Sequence, residues 1–255
     1  MRECKAINNL PKESMGSFKR FFNYEKDDLK KVTSILQKIV THYPKWTYWK
    51  QLGGMYGSQE RETDQLVATE MVYMNDQLTT ESQVMSMAYM YLGAEVPYRA
   101  ARIIEKGMKD DIIEKTAKNL EVLGSAWWQA KNLESALKAF ENASKYSDTG
   151  EIQSRIASIY LDLGKDKQAY KASQKAAKKG EVKNASTNYA TMGSALINMH
   201  CYKDAVKAFN KSVKTAKTKK AKRYPAQWIK FANAEGSRLQ KLRDVGATVP
   251  GCSKA

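Results

Sequence analysis

The sequence predicts an all-α protein, an α-solenoid of stacked helix hairpins closed by a C-terminal capping helix. Three observations predict it. The 255 residues include only 5 prolines and 14 glycines, and good helix formers fill most of the rest. One pattern of small and large apolar residues recurs five times at helical spacing. Beyond the last copy a mostly polar helix follows, which a stack of repeats needs to close its end.

The repeat is carried by Gly53, Ala88, Gly124, Ala157 and Gly193, separated by 35, 36, 33 and 36 residues. Around Gly124 the pattern reads Leu120, Leu123, Trp127, Ala136 and Phe140. Tyr189, Met192, Leu196, Ala205 and Phe209 repeat it around Gly193. Val84, Met87, Tyr91, Ala100 and Ile104 do so around Ala88, and Gln153, Ile156, Tyr160, Ala169 and Ser173 around Ala157. The copy at "WKQLGGMY" has Trp49, Leu52 and Tyr56, but Gln65 and Thr69 in its second half. Each unit reads as two helices, with a small residue on the first meeting Ala136 or its equivalent on the second so that the backbones approach closely. A glycine inside a helix costs about 1 kcal/mol relative to alanine, which such packing offsets.

The expected units are residues 45–80, 81–115, 116–149, 150–183 and 184–217. Before them, residues 1–44 form a helical segment. "FKRFF" and an amphipathic helix with Leu29, Val32, Ile35, Leu36, Ile39 and Val40 make residues 12–44 a degenerate first repeat. Asp27 or Asp28 begins that helix and Pro44 ends it. After the repeats, residues 218–244 are expected to hold a basic connector, part of "KTAKTKKAKRYP" (214–225), and the capping helix with Trp228, Phe231, Ala232, Glu235 and Leu239. Residues 245–255 are expected to be a flexible tail.

This pattern resembles the tetratricopeptide repeat, W-x2-L-G-x2-Y followed by A-x3-F, over residues 45–217. The resemblance implies that first helices line a concave face and second helices a convex one. Trp127 belongs to the core stripe, so Trp128, about 100° further round, turns to the groove. The same offset places Met85, Tyr89 and Leu92 in the groove from the second unit. Val122, Ser125, Trp128 and Gln129 come from the third, Arg155, Ser158 and Asp162 from the fourth, and Ser194 and Asn198 from the fifth. Exposed aromatic and methionine side chains there would suit a peptide or a partner helix.

Some stretches are more particular. "VPYRAA" opening a second helix, "EKGM" closing it and "SDTGE" between units are similar to repeat proteins that accompany TonB–ExbB–ExbD complexes of Gram-negative bacteria. That resemblance implies a periplasmic location, a TonB-system component as partner and a role in TonB-dependent uptake. The start, "MRECKAINNLPKES", lacks the apolar core of a signal peptide, so a cytoplasmic location stays open. No apolar run reaches the ~18 residues of a membrane span.

Net charge is +16, and all of the excess falls in residues 165–255, with 21 basic and 5 acidic side chains. Lys167, Lys171, Lys175 and Lys179 recur on one second helix, and Lys203, Lys207, Lys211 and Lys214 on the next. They read as solvated convex faces. The alternative function is a basic solenoid that binds nucleic acid or anionic envelope polymers through residues 165–255. No aromatics interleave with the lysines, so nucleic acid is the weaker reading.

No catalytic, cofactor or metal constellation is present, and the chain is expected not to be an enzyme. Two histidines provide no base with an orienting partner. Cys4, Cys201 and Cys252 are too scattered for a zinc site. A disulfide between Cys201 and Cys252 is compatible with an oxidising compartment and is not decided by the sequence.

Overall fold

A computed structural model describes residues 28–147 and 149–253, and "FKRFF" lies outside them. The described residues are helical with no strand. The chain divides into two compact units, Met1–Glu114 and Lys115–Ala255.

In the first unit, α1 (Leu29–His42), α2 (Trp46–Gly57), α3 (Glu62–Tyr73), α4 (Glu81–Gly93) and α5 (Pro97–Lys109) follow one another, and each packs against the next. Asp28 caps α1, its carboxylate accepting from Lys31 N–H at 3.1 Å. Thr80 and Gln83 form a reciprocal capping box at the start of α4. Pro97 opens α5, where its missing N–H has no helical partner to lose. Val32, Leu36, Leu52, Tyr56 and Ala68 bury one cluster.

The second unit holds α6 (Ala117–Gln129), α7 (Leu133–Ala143), α8 (Gly150–Asp162), α9 (Asp166–Lys179), α10 (Ala185–Asn198), α11 (Tyr202–Thr215) and α12 (Lys219–Asp244). Consecutive helices pack together. α8 also packs on α10, whereas α9 and α11 make no comparable contact with each other. α8 and α10 therefore form an inner layer with α9 and α11 outside them, and α6 joins α8 through the Trp128–Asp162 hydrogen bond. Gly150 begins α8 against the end of α9. Its N–H donates to Gly180 C=O at 2.7 Å, and a Cβ there would meet the carbonyls of Ala176 and Gly180.

Two of the three motif glycines, Gly124 and Gly193, answer to a ring rather than to alanine. A Cβ on Gly124 would lie 2.8 Å from the Phe140 ring, not against Ala136, and one on Gly193 would lie 2.8 Å from the Phe209 ring. Both phenylalanines are fully buried. Where the second helix brings Ile104 or Ser173 instead, the first helix carries Ala88 or Ala157.

Each hairpin turns through one residue of positive φ, seven positions after its small residue: Glu60, Glu95, Lys131, Gly164 and His200, with φ of 57°, 59°, 62°, 68° and 59°. The next N–H then donates to a carbonyl five residues back, as Val96 to Tyr91 at 2.8 Å, Asn132 to Trp127 at 3.0 Å and Cys201 to Leu196 at 2.8 Å. This is the Schellman geometry that closes a helix end.

Two expectations are corrected. Most of the connector expected over 214–225 is helix: α11 continues to Thr215 and α12 starts at Lys219. Thr218 caps α12 by accepting from Ala221 N–H at 3.1 Å, and its alanine and lysines are good helix formers. Pro225 sits inside the helix and is buried. The tail, expected to be flexible, is tied down through Ser253. A disulfide joins Cys201 to Cys252, Ser253 N–H donates to Met199 C=O at 3.1 Å, and Arg243 donates to Pro250 C=O at 2.8 Å.

Candidate protein-binding face

The inner layer of the second unit gathers Val122, Ser125, Trp128 and Gln129 from α6, Arg155, Ser158 and Asp162 from α8, and Ser194 and Asn198 from α10. Gln129, Asp162 and Asn198 are exposed and the others half-buried. Hydrogen bonds connect these helices one step at a time. Trp128 Nε1–H donates to Asp162 Oδ2 at 3.1 Å, from α6 to α8. Ser158 Oγ lies 3.4 Å from Thr191 Oγ1, from α8 to α10. Ser194 Oγ lies 3.3 Å from the Tyr224 hydroxyl, from α10 to α12. Asn198 Nδ2 donates to Asp166 Oδ1 at 2.8 Å, and Arg155 pairs with Glu151 at 3.3 Å. Trp128 thus presents part of its indole on this face while its N–H is already engaged.

Two aromatic residues at the far end of this face are not among the groove residues expected from the sequence, where Phe231 figures only in the capping helix. Tyr224 and Phe231 on α12 are 50% and 46% exposed. Both pack on Trp228, with ring centroids 6.0 and 5.3 Å away, and Trp228 stacks on the buried Phe209 at 6.3 Å. Their spacing of seven residues on one helix was the available signal. Reading residues 214–225 as a connector hid Tyr224.

In the first unit the picture differs. Tyr89 is 48% exposed and Leu92 is half-buried. Met85, expected in the groove, is instead buried at 7%, on a helix held between α3 and α5. Further along α4, the Tyr91 hydroxyl donates to Glu70 Oε1 at 2.5 Å, and Arg99 donates to the same oxygen at 2.7 Å. Burial, then the Glu70 carboxylate, pushes the Tyr91 phenol up to about 12. This cluster joins three helices.

Among the described residues no three of His, Cys, Asp and Glu gather where they could hold a metal ion, and no helix is long and apolar enough to cross a membrane. His200 and Cys201, adjacent in sequence, are the left-handed turn residue of a hairpin and a disulfide partner.

Stacked two-helix units with small residues at the crossing define a tetratricopeptide-type helical-repeat solenoid, and the solved structures that superpose on the chain have this fold. A structure of MamA aligns over 67% of this chain and 91% of its own, with a TM-score of 0.56 and 18% identity. YrrB, described as a TPR protein with an unusual peptide-binding site, aligns over 75% and 97%, with a TM-score of 0.57 and 10% identity. At such identities the likeness establishes the fold alone. No family model matches the chain, and no curated protein matches it in sequence.

Proposed function

We propose that the chain is a protein-interaction scaffold that holds a peptide or partner helix on the inner face of residues 115–255, in support of TonB-dependent transport in the bacterial envelope. The observation that carries the reading is the face itself, bounded by half-buried Trp128 at one end and exposed Tyr224 and Phe231 at the other. Ser125 beside Trp128 on α6, Ser158 on α8 and Ser194 on α10 add one half-buried hydroxyl from each first helix. Aromatic anchors at the ends provide burial, and hydroxyl oxygens that already pair within the protein at Ser158 and Ser194 keep a lone pair to accept a backbone N–H. YrrB, with the same fold, is described as a TPR protein with an unusual peptide-binding site, which supports the general class.

A periplasmic location is part of the proposal. The Cys201–Cys252 disulfide fits an oxidising compartment, and "VPYRAA", "EKGM" and "SDTGE" support the TonB association.

The test is photo-crosslinking in the native cell from Ser125 and, separately, from Lys171 on the outer layer. Adducts to an envelope protein from Ser125, reduced by Trp128→Ala or Phe231→Ala, are the expected result. Trp128→Ala should weaken that partner's binding about thirtyfold. Adducts from Lys171 alone would place the partner elsewhere and remove the inner-face reading. Unchanged TonB-dependent uptake in a deletion strain would remove the transport role and leave the scaffold standing.

A further inference from the structure

The outer layer of the second unit carries a feature that peptide capture does not use. α9 buries Ala169, Ala172, Ser173 and Ala176, while Lys167, Lys171, Lys175 and Lys178 are exposed. α11 buries Ala205, Ala208, Phe209 and Ser212, while Lys203, Lys207, Lys211 and Lys214 are exposed. Four residues of helix advance about 6 Å, so each helix presents a row of ammonium groups along its outer side. Acid is scarce there. Asp166 accepts from Asn198, and Asp204 faces Lys207 at 3.2 Å.

We propose that these two lysine rows form a docking surface for the anionic phospholipid headgroups of a bilayer. Charge complementarity selects an anion, and the composition of the rows selects which kind. Neither helix contains an arginine, the residue suited to fixed, bidentate pairing with a phosphate or carboxylate at a set position. Outside the core their only rings, Tyr170 and Tyr202, are half-buried, so neither helix has a fully exposed ring alternating with its lysines, as single-strand binders require. Lysines are compact point charges on flexible stems. Lipid headgroups diffuse to meet them, so no fixed spacing has to be matched. No large apolar side chain is fully exposed on either helix, so docking is electrostatic, reversible and screened by salt. Its placement on the second helices leaves the inner face free for a protein partner.

The experiment is co-sedimentation of the full chain with mixed phosphatidylglycerol–phosphatidylcholine vesicles, compared with phosphatidylcholine alone and with duplex and single-stranded RNA. Binding is expected only to the anionic vesicles, falling steeply between about 50 and 300 mM salt. The variant Lys171→Gln/Lys175→Gln/Lys203→Gln should lose about a hundredfold in affinity, at roughly fivefold per lysine. Lys219→Gln/Lys220→Gln/Lys222→Gln on α12 removes the same charge from another place and should lose only severalfold. These residues are exposed, and circular dichroism checks that both variants fold. Equal losses in the two variants would reduce the effect to net charge and overturn a defined surface. Absence of vesicle binding at low salt would overturn it outright. Tighter binding to RNA through the same lysines would replace the bilayer with a nucleic acid.

Discussion

The hairpins α2/α3 and α10/α11 carry a glycine at the same point of the same pattern, yet the two glycines do different things. A Cβ on Gly193 would sit 2.8 Å from the Phe209 ring. A Cβ on Gly53 would sit 3.5 Å from Ala68 Cβ and 3.6 Å from Thr69 Oγ1, which is ordinary contact. The backbones of the hairpin do not themselves demand glycine. The side chain sixteen residues later demands it, and only where that side chain is a phenylalanine. Gly124 with Phe140 follows the strict rule, and Ala88 with Ile104 shows that a methyl fits when the ring is absent.

The largest effect should come from overfilling a strict site. Gly124→Leu is expected to destabilise the protein by about 3 kcal/mol or more, since even the first of four extra carbons would lie 2.8 Å from a fully buried ring. Thermal and urea denaturation measure it. A variant that melts with the wild type would show that the ring can swing away and that the strict class does not exist.

A smaller change separates the ring from the backbone as the cause. Gly193→Ala should cost about 1–2 kcal/mol, overpacking against Phe209 exceeding the helix propensity gained. In a Phe209→Leu background the same substitution should become neutral or stabilising. That coupling is the quantity a double-mutant cycle reports. An unchanged cost in both backgrounds would return the demand to the backbone and erase the distinction between the two hairpins.

At the permissive site the sign reverses. Gly53→Ala should stabilise by about 0.5–1 kcal/mol, the propensity gain for a helix interior with nothing to overpack. Destabilisation there would mean that α2 and α3 approach more closely than the 3.5 Å contact allows.

The contrast also marks what the sequence makes legible. The five hairpins are readable because each repeats the same side chains at one period, and Leu52, Leu123, Trp127, Phe140 and Phe209 are core as that period requires. Burial that depends on a third helix is not periodic within one hairpin, and Met85 lies on a helix held between two others. The Trp128–Asp162 and Ser194–Tyr224 links join residues 34 and 30 positions apart, and no local pattern announces them. The fastening of the tail is not legible either, because the Cys201–Cys252 pairing depends on the redox compartment, which the sequence leaves open.

The hairpin turns extend the same comparison to its smallest term. Seven residues after each small residue the chain takes a positive φ, but only Gly164 of the five turn residues is a glycine. A side chain in the left-handed region costs about 1–2 kcal/mol, while glycine loses more conformational freedom on folding. Lys131 is exposed at its turn, so Lys131→Gly removes the first cost without removing a packed side chain. The two terms partly cancel, and the net expected gain is about 0.5 kcal/mol, with Gly164→Ala losing about as much in the α8/α9 turn. Urea denaturation of the two variants reads both signs. If Lys131→Gly destabilises, its stem packs on the turn and the left-handed residue is held by its side chain. If Gly164→Ala is neutral, the Schellman bonds alone set the turn, and the residue type at this position is free in every hairpin.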